Sequence, residues 1–444
     1  MSKVAEAKTF EGVAAQVKGA RKAARTLSRL PAADRNKILL TAADLLEAHE
    51  AEILKANQQD CALLEHEISE GKASAALLKR LKTSSYGIKD MARQVRDVAG
   101  MEDPLGQTLS TTELDDGLIL NKVSCPLGVV AVIFESRPDA IPQVGSLAIK
   151  TGNGLVLKGG AEARLTNRVL VSLWHKALAT VDPLLGDAIC ALEDRADVAR
   201  ILEMDRDIDL VVPRGSTEFV NYVFQHSRIP VLGHGSGICH IYVDDAADLA
   251  QATGIIVDAK TQYPAACNST EKVLVHQEIA GEFLPILVQA LQSAGVEIRA
   301  CERTTAICSK LEIVPATEED WHTEYGDLRI TIKVVEGLQM AIDHINQYGS
   351  RHTDCILTEN ATAAEQFMAE VDAASVFHNA STRFADGFRY GLGAEIGISN
   401  SKLHARGPVG LDGLLTYKYK LHGNGQTVST YANGSKSFKH RRIK

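Results

Sequence analysis

The residue of this sequence that is best placed to take part in a reaction is a cysteine in a loop of small residues. Cys267 follows residues 264–266, Pro-Ala-Ala, and precedes residues 268–270, Asn-Ser-Thr. A free cysteine is usually a small buried hydrophobe, but a thiolate in this setting could attack a carbonyl carbon, since small neighbours leave room for a substrate. The context therefore favours Cys267 as a nucleophile.

Two further segments could hold a phosphate-bearing ligand. In residues 208–219 a buried strand runs into a tight turn at Gly215, with Ser216 or Thr217 placed to cap the next helix. Such a helix start offers unpaired N–H groups to a phosphate. In residues 152–160 a strand ends in Lys158, Gly159 and Gly160, where the glycines permit close backbone approach and the lysine can pair with a phosphate. Taken alone, either segment could also be an ordinary turn.

The hydrophobic pattern places these segments in an α/β fold. Apolar residues recur at helical spacing in 35–58 and 74–98, which predicts a mostly helical first hundred residues. Beyond them, apolar strands alternate with helices, which indicates open parallel sheets covered on both faces. The predicted strands are Val129–Phe134, Leu155–Lys158, Leu210–Val212, Lys272–His276, Ile330–Val335 and Cys355–Leu357, and the predicted helices include Val144–Lys150, Leu165–Ala179, one ending at Leu291, and Gly337–Tyr348.

Residues 107–124 have a different character from the rest of the chain. Two short strand-like runs flank Asp115, Asp116 and Gly117, as in a β-hairpin. We predict that this segment is an arm outside the main cores.

Composition excludes several classes of protein. The net charge of −8 gives no general attraction to nucleic acid or to an anionic membrane, and the five positive charges of residues 436–444 are interpreted as a solvated end. No apolar run approaches the length that spans a bilayer, and the amino terminus has no signal-peptide core. The eight cysteines form no C-x-x-C pair or His cluster, which argues against a zinc site or disulfide framework and favours a reducing, cytoplasmic location.

Several blocks of sequence together resemble the aldehyde dehydrogenase superfamily, over roughly residues 10 to 420. The blocks are residues 126–129, 134–139, 158–160, 213–216, 264–268, 379–384, 391–397 and 404–408. The resemblance implies two Rossmann-like parallel-sheet domains and a β-arm used for oligomerisation. It assigns residues 1–105 and 127–243 to an NADP-binding domain, 244–419 to a catalytic domain, and 106–126 with 420–444 to the arm and tail.

The resemblance also implies roles for individual residues. Cys267 is the nucleophile, Lys158 to Gly160 and Gly215 with Ser216 lie by the cofactor, and Glu324 holds the nicotinamide ribose or is a solvated glutamate. Arg137 matches the position that binds an oxyanion; it could instead form an ion pair with Glu135 or Asp139. The expected substrate loop contributes Arg383, Ser399, Lys402, His404 and Arg406.

Two departures from the superfamily pattern point to a reductase that acts on an acyl phosphate. Aldehyde-oxidising members carry, at the position of Gly233, a glutamate that activates the water that hydrolyses the thioester. Without that base the thioester can be reduced or returned to phosphate, unless His234 serves as the base. Ala161 replaces an acidic residue that holds ribose hydroxyls in NAD-using members, which favours NADPH, although Glu162 is adjacent.

The resemblance therefore implies NADPH-dependent reduction of L-glutamyl 5-phosphate to L-glutamate 5-semialdehyde, a step towards proline. It further implies a homo-oligomer, a dimer or tetramer, with a glutamate 5-kinase as a candidate partner and with no resident metal. Two alternatives stay open at this point: a hydrolytic aldehyde dehydrogenase, and a non-catalytic nucleotide-binding protein.

Overall fold

The structure is a computed structural model, which describes the backbone of residues 3–444 and the side chains of residues 12–75 and 77–444. It divides into two compact units. The first comprises the chain up to Leu232 with residues 392–397 and 409–444, and the second comprises residues 233–391 and 398–408. Residues 1 and 2, which the sequence analysis assigned to the NADP-binding domain, lie outside the described residues.

The first unit begins with helices and continues into the arm and a parallel sheet. The helices are α1 (Lys3–Leu27), α2 (Ala32–Ala48), α3 (Glu50–Ser69), α4 (Ala75–Leu81), α5 (Ser85–Gly100), α6 (Ala140–Lys150), α7 (Arg164–Ala179), α8 (Asp197–Ile201) and α9 (Thr217–His226). The strands are β1 (Thr108–Asp115), β2 (Leu118–Pro126), β3 (Val129–Phe134), β4 (Gly154–Gly159), β5 (Ile189–Leu192) and β6 (Leu210–Arg214).

Strands β3 to β6 form a parallel sheet in the order β5-β4-β3-β6. Every residue of β3 is buried, as a central strand with both faces covered requires. The predicted strand at Val129–Phe134 is confirmed, whereas β5, only four residues long, was not predicted.

The second unit contains a larger sheet. Its strands are β7 (Cys239–Val243), β8 (Thr270–His276), β9 (Glu297–Ala300), β10 (Val314–Pro315), β11 (Arg329–Val335), β12 (Thr353–Leu357) and β13 (Ser375–His378). They pair in parallel in the order β10-β9-β11-β8-β7-β12-β13. Its helices are α10 (Leu249–Thr261), α11 (Gln277–Ser293), α12 (Glu302–Ile307), α13 (Glu318–His322), α14 (Leu338–Tyr348) and α15 (Ala361–Glu370). Two short strands, β14 (Gly397–Ser399) and β15 (Gly407–Val409), follow.

The observed division of the chain differs from the predicted boundaries. Residues 233–243 were assigned to the cofactor domain, but β7 pairs with both β8 and β12 and so lies inside the second sheet. Residues 392–397 and 409–419 were assigned to the catalytic domain but belong to the first unit. Short returning segments of this kind leave no signal in hydrophobic periodicity.

The chain ends on the arm. Strand β16 (Leu415–His422) pairs with β2, helix α16 (Val428–Ala432) follows, and β17 (Arg441–Arg442) pairs with β1. The hairpin of β1 and β2 is confirmed. The basic tail is exposed throughout residues 436–444, as expected of a solvated end, but it is also tied to the arm, because Arg441 Nε donates to Glu113 Oε2 at 2.8 Å and the backbone of β17 extends the arm sheet.

Among residues 3–444, no helix combines the length and the apolar character that crossing a membrane would require.

Candidate active site at the amino ends of three strands

Three loops of the second unit meet at one edge of its sheet. His234 lies in the loop that leads into β7, Cys267 in the loop into β8, and His352 directly before β12. The order β8-β7-β12 makes these strands neighbours, and their parallel direction brings their amino ends together. The topology therefore assembles a cysteine and two histidines from segments that are distant in sequence.

The cysteine and the histidines are in direct contact. His352 Nε2 lies 3.1 Å from Cys267 Sγ, and the rings of His234 and His352 meet edge to face with centroids 5.1 Å apart. One nitrogen from each histidine and the sulfur all lie within 4.8 Å of one another. Cys267 is partly exposed while His352 is buried, so the thiol can be reached from outside but its partner is shielded.

Each histidine is held by a hydrogen bond from its remote nitrogen. His234 Nδ1 donates to the carbonyl oxygen of Ile398 at 3.0 Å, which leaves its Nε2 facing the site. His352 Nδ1 lies 2.8 Å from the hydroxyl of Thr353. Anchoring of this kind fixes ring orientation, so both imidazoles are positioned before any ligand arrives.

These contacts lower the pKa of the Cys267 thiol and so favour its thiolate form. Burial alone would raise the pKa of the thiol, but the charges of His352 and His234, with their hydrogen bonds to the sulfur, bring that pKa well below its ordinary value. Burial likewise opposes the charged form of His234, yet the thiolate raises the pKa of that imidazole to about 9. A thiolate paired with an imidazolium is an activated nucleophile.

The loop of Cys267 is packed against the loop of Gly237. A Cβ on Gly237 would lie 2.1 Å from the Cys267 carbonyl oxygen and 2.6 Å from its Cα, so only glycine fits there. Cys239 Sγ donates to the same carbonyl at 3.3 Å, and Asn268 Nδ2 donates to the Ala385 carbonyl at 2.8 Å. The nucleophile is therefore fixed by backbone packing on both sides.

Glu324 lies beside this loop. Its Oε2 accepts a hydrogen bond from the backbone N–H of Gly237 at 2.8 Å. Glu324 is therefore not merely a solvated glutamate, because its carboxylate holds the loop before β7. Its predicted role at the nicotinamide ribose remains a prediction.

The residues predicted to hold the substrate fall into two groups. Arg383 is buried and its Nε donates to Gln262 Oε1 at 2.9 Å, and Ser399 is fully buried. Lys402 and Arg406 instead form ion pairs with Asp372 at 2.7 and 2.9 Å. His404 lies on the same loop, between Lys402 and Arg406.

Arg383, one of the substrate candidates, interacts electrostatically with Cys267. Burial lowers the pKa of its guanidinium and the negative charge of Cys267 acts in the opposite direction. Because Lys402 and Arg406 are already paired with the half-buried carboxylate of Asp372, Arg383 is the stronger candidate for binding an anionic substrate.

Two of the residues predicted to bind a cofactor line a cavity of about 380 Å³ in the first unit. Gly159 and Gly160 line it, together with Ala161 and Asn167, whose buried Oδ1 has no hydrogen-bond partner. Lys158 is buried beside it and donates to the Gly159 carbonyl at 2.6 Å. A cavity of this size with an unpaired amide oxygen suits part of a nucleotide.

Glu162 is the acidic residue that left the preference between NADPH and NADH open in the sequence, and its carboxylate is bound to Ser136 instead of being free to bind a ribose in that cavity. Its Oε1 accepts two hydrogen bonds of 2.7 Å from Ser136, one from the backbone N–H and one from the hydroxyl. The carboxylate is therefore already engaged at the end of β3. This arrangement supports the preference for a 2′-phosphate that Ala161 indicates.

The remaining predicted residues lie in turns of the first unit. Ser216 caps α9 by accepting a hydrogen bond from Phe219 N at 3.3 Å, as predicted, and a Cβ on Gly215 would come 3.0 Å from both the Phe219 ring and the Glu135 carboxylate. Arg137 follows β3, and among the side chains that the structure describes it forms no ion pair, which argues against its structural alternative.

Sequence reasoning missed His352 and gave His234 only the role of an alternative base. A histidine three residues before the predicted strand 355–357 was visible in the sequence. Its significance depends on β12 lying next to β7, which no local pattern reveals.

Comparison with known proteins gives concordant results. The family described as "Aldehyde dehydrogenase family" matches residues 1–308. The gamma-glutamyl phosphate reductase of Haloquadratum walsbyi is 52% identical over 431 residues, covering 96% of this chain and 94% of that protein. The enzyme of the same name from a Cyanothece species is 54% identical over 422 residues, covering 95% and 96%. The crystal structure of gamma-glutamyl phosphate reductase from Thermotoga maritima has a TM-score of 0.89 at 40% identity and covers 94% of this chain and 99% of that one.

Proposed function

Because this chain belongs to the aldehyde dehydrogenase family, and within it to the gamma-glutamyl phosphate reductases, we propose that it reduces L-glutamyl 5-phosphate to L-glutamate 5-semialdehyde with NADPH. The observation that carries the mechanism is the 3.1 Å contact between Cys267 Sγ and His352 Nε2. It favours the thiolate form of Cys267, and a thiolate is the nucleophile that an acyl phosphate requires.

In the first step the Cys267 sulfur attacks the carbonyl carbon of the acyl phosphate. A C–S bond forms, the C–O bond to phosphate breaks, and a thioester remains on the enzyme. The loss of the thiolate removes the charge that holds a proton on the neighbouring imidazole, so that proton becomes available to the departing phosphate. Arg383 and Arg137 are the candidates for holding the phosphate and the carbonyl oxygen.

NADPH, when bound, supplies the hydride that takes the thioester to the oxidation level of the aldehyde. We assign its adenosine end to the cavity beside Gly159, Gly160 and Lys158, its phosphates to the turn at Gly215 and Ser216, and its nicotinamide ribose to Glu324. Collapse of the resulting thiohemiacetal breaks the C–S bond, releases glutamate 5-semialdehyde and restores the Cys267 thiolate.

The sequence also favours reduction over hydrolysis. Gly233 stands where hydrolytic members carry the glutamate that activates water, so that base is missing from this chain. The non-catalytic alternative does not account for an activated thiol.

The cellular setting follows from the same proposal. All eight cysteines are free, which suits a reducing compartment, and we place the enzyme in the cytoplasm. The substrate is a reactive acyl phosphate, so a glutamate 5-kinase must supply it and is the candidate partner. A homo-oligomer, dimer or tetramer, built through the arm is part of the proposal.

The test is to run the reaction backwards, with glutamate 5-semialdehyde and NADP, and to follow NADPH formation with and without inorganic phosphate. Formation that requires phosphate supports the proposal, whereas equal rates without phosphate would identify a hydrolytic aldehyde dehydrogenase. The Cys267→Ser variant is expected to lose at least about a thousandfold in rate. Cys125→Ser, a change on the arm, is the matched control and should retain activity.

A further inference from the structure

The cluster formed by His234, Cys267 and His352 has the composition and spacing of a metal site. The three ligand atoms lie within 4.8 Å of one another, and Cys267 Sγ lies 3.1 Å from His352 Nε2. A tetrahedral zinc ion with bonds of about 2.0 to 2.3 Å holds its ligand atoms about 3.4 to 3.6 Å apart. Small rotations of the side chains therefore bring sulfur and both nitrogens to coordination distance.

The surroundings of the two histidines match what metal-bound histidines need. A ligating imidazole uses its remote nitrogen to hold its orientation, through a bond to a carbonyl, a carboxylate or a comparable acceptor. Since the Ile398 carbonyl can only accept, His234 Nδ1 must carry the proton, and the lone pair of the neutral ring then lies on Nε2, facing Cys267. Thr353 Oγ1 can play the same part for His352.

The donor set selects among metals. One sulfur and two imidazole nitrogens suit zinc and other borderline or soft cations, whereas magnesium and calcium require oxygen ligands. The protein offers three ligands here, which leaves a fourth position for water or for an anion such as inorganic phosphate. This is the arrangement of an open site and not of a closed structural one.

We propose that His234, Cys267 and His352 form a reversible binding site for a soft or borderline divalent cation, with zinc as the natural occupant. Metal binding and catalysis exclude each other, because the metal occupies the Cys267 lone pair that must attack the substrate. The site thus makes the enzyme sensitive to free zinc. The inhibition rests on the proposed function; the binding does not.

This inference departs from the expectation, drawn from the sequence, that the chain has no zinc site. That expectation rested on the absence of closely spaced cysteines and histidines. The ligands here come from the segments that precede three different strands, and Cys267 and His352 are 85 residues apart in sequence.

The experiment uses the full chain, freed of metal by a chelator and titrated with Co²⁺. We expect a sulfur-to-cobalt charge-transfer absorption that saturates at a single equivalent, is displaced by Zn²⁺ and is unaffected by Mg²⁺. Cys267→Ser should abolish the absorption, and His352→Ala should weaken binding by about 100-fold or more. Thr353→Val, which removes only the anchor of His352, should weaken it by about 10- to 100-fold.

His322→Ala changes an exposed histidine of the same unit and is the matched control, which should bind Co²⁺ as the parent does. Alkylation of Cys267 by iodoacetamide gives the same test on an unmutated chain and covers the case of a variant that does not fold. Absorption that survives in Cys267→Ser or in the alkylated protein would overturn the proposal, since the metal would then lie elsewhere.

Inhibition is measured separately, as the zinc concentration that halves the reductase rate. Agreement of that concentration with the Zn²⁺ affinity from cobalt displacement supports the proposal in full. Zinc that binds at the cluster without slowing reduction would overturn mutual exclusion, whereas cobalt binding in a chain without reductase activity would overturn the proposed function and leave the metal site standing.

Discussion

His352 Nε2 and Cys267 Sγ lie 3.1 Å apart although 85 residues separate them along the chain. The contact exists because β12 and β8 flank β7 and all three strands run in the same direction. It sets the reactivity of the nucleophile, and the first prediction follows from it.

Alkylation of Cys267 by iodoacetamide should depend less on pH between about 6 and 8 than alkylation of an ordinary thiol. The pKa of Cys267 is depressed and that of His234 is raised to about 9, which favours the charged pair in this range. An ordinary thiol, with a pKa of about 8.5, would lose about tenfold in rate for each pH unit below that value. Peptide mapping by mass spectrometry separates Cys267 from cysteines such as Cys190 and Cys355, whose pKa values burial raises to about 12.

The same assay tests His352 directly. In His352→Gln the Cys267 pKa should rise, and the alkylation rate at pH 6 should fall by about tenfold for every unit of that rise. His322→Gln, at an exposed site of the same unit, serves as the control. A rate in His352→Gln that kept the parent's pH profile would show that the contact does not activate the thiol.

A methyl group at Gly237 should disable the site. In Gly237→Ala the added carbon would meet the backbone of Cys267 at 2.1 Å, so one of the two loops must move. We expect reductase activity to fall by at least about 100-fold, since small displacements of reacting groups cost that much. Gly254→Ala makes the same change within α10, where nothing lies within 4 Å; it should leave activity intact and raise stability by about 1 kcal/mol.

Lys260 and Glu271 form an ion pair in which both side chains are fully buried, with Nζ and Oε2 3.1 Å apart. Lys260→Met leaves the carboxyl without its partner and should lower the free energy of unfolding by about 3 to 5 kcal/mol. Burial already raises the pKa of Glu271, to about 7, and the variant should raise it further.

The pH dependence of that loss has a definite sign. A carboxyl group whose pKa is raised in the folded state lowers the free energy of unfolding of the protein as the pH rises above about 4.3, the pKa of that group in the unfolded chain. The stability lost in Lys260→Met should therefore be smaller at pH 5 than at pH 8. Chemical denaturation at the two values measures it. The double variant Lys260→Met with Glu271→Leu should recover most of the stability. Arg329→Met, which breaks a solvent-exposed pair with Asp327, should cost less than about 1 kcal/mol.

A carboxylate at position 161 should reverse the cofactor preference. Ala161 lines the cavity assigned to the adenosine end of NADPH, so the new charge in Ala161→Glu would repel a 2′-phosphate. We expect the KM for NADPH to rise at least about tenfold while that for NADH rises less or falls. Ala51→Glu adds the same charge at an exposed position of α3 and controls for charge alone. Equal changes for the two cofactors would place the 2′-phosphate elsewhere.

Local pattern was enough to predict much of the fold. The strand Val129–Phe134 is confirmed residue for residue, and the arm hairpin is confirmed because Asp-Asp-Gly at 115–117 is a strong turn signal. The boundary near residue 243 was wrong because β7 is a buried strand in either domain, and only its pairing shows which sheet it joins. The short strands β5, β9 and β10 are too brief for a period to be recognised.

The candidate site was predictable only in part, and for the same reason. Cys267 stood out through its neighbours, and Ser216 through the capping pattern it now makes. His352 follows an arginine and precedes a strand, a setting shared by many buried histidines. Its function comes from the order of strands in the sheet, which is a property of the whole second unit.

Because the site lies at the amino ends of three strands, the Cys267 thiol becomes reactive only at a certain stage of folding. In an unfolded chain, Cys267 is one ordinary thiol among eight. It becomes distinct only after β7, β8 and β12 have paired, a set of non-local contacts that form slowly because long loops must close first. A nascent chain thus carries no unusually oxidisable thiol while its cores are still open. During refolding, the onset of rapid labelling at Cys267 would mark the moment at which the central strands of the second sheet have come into register.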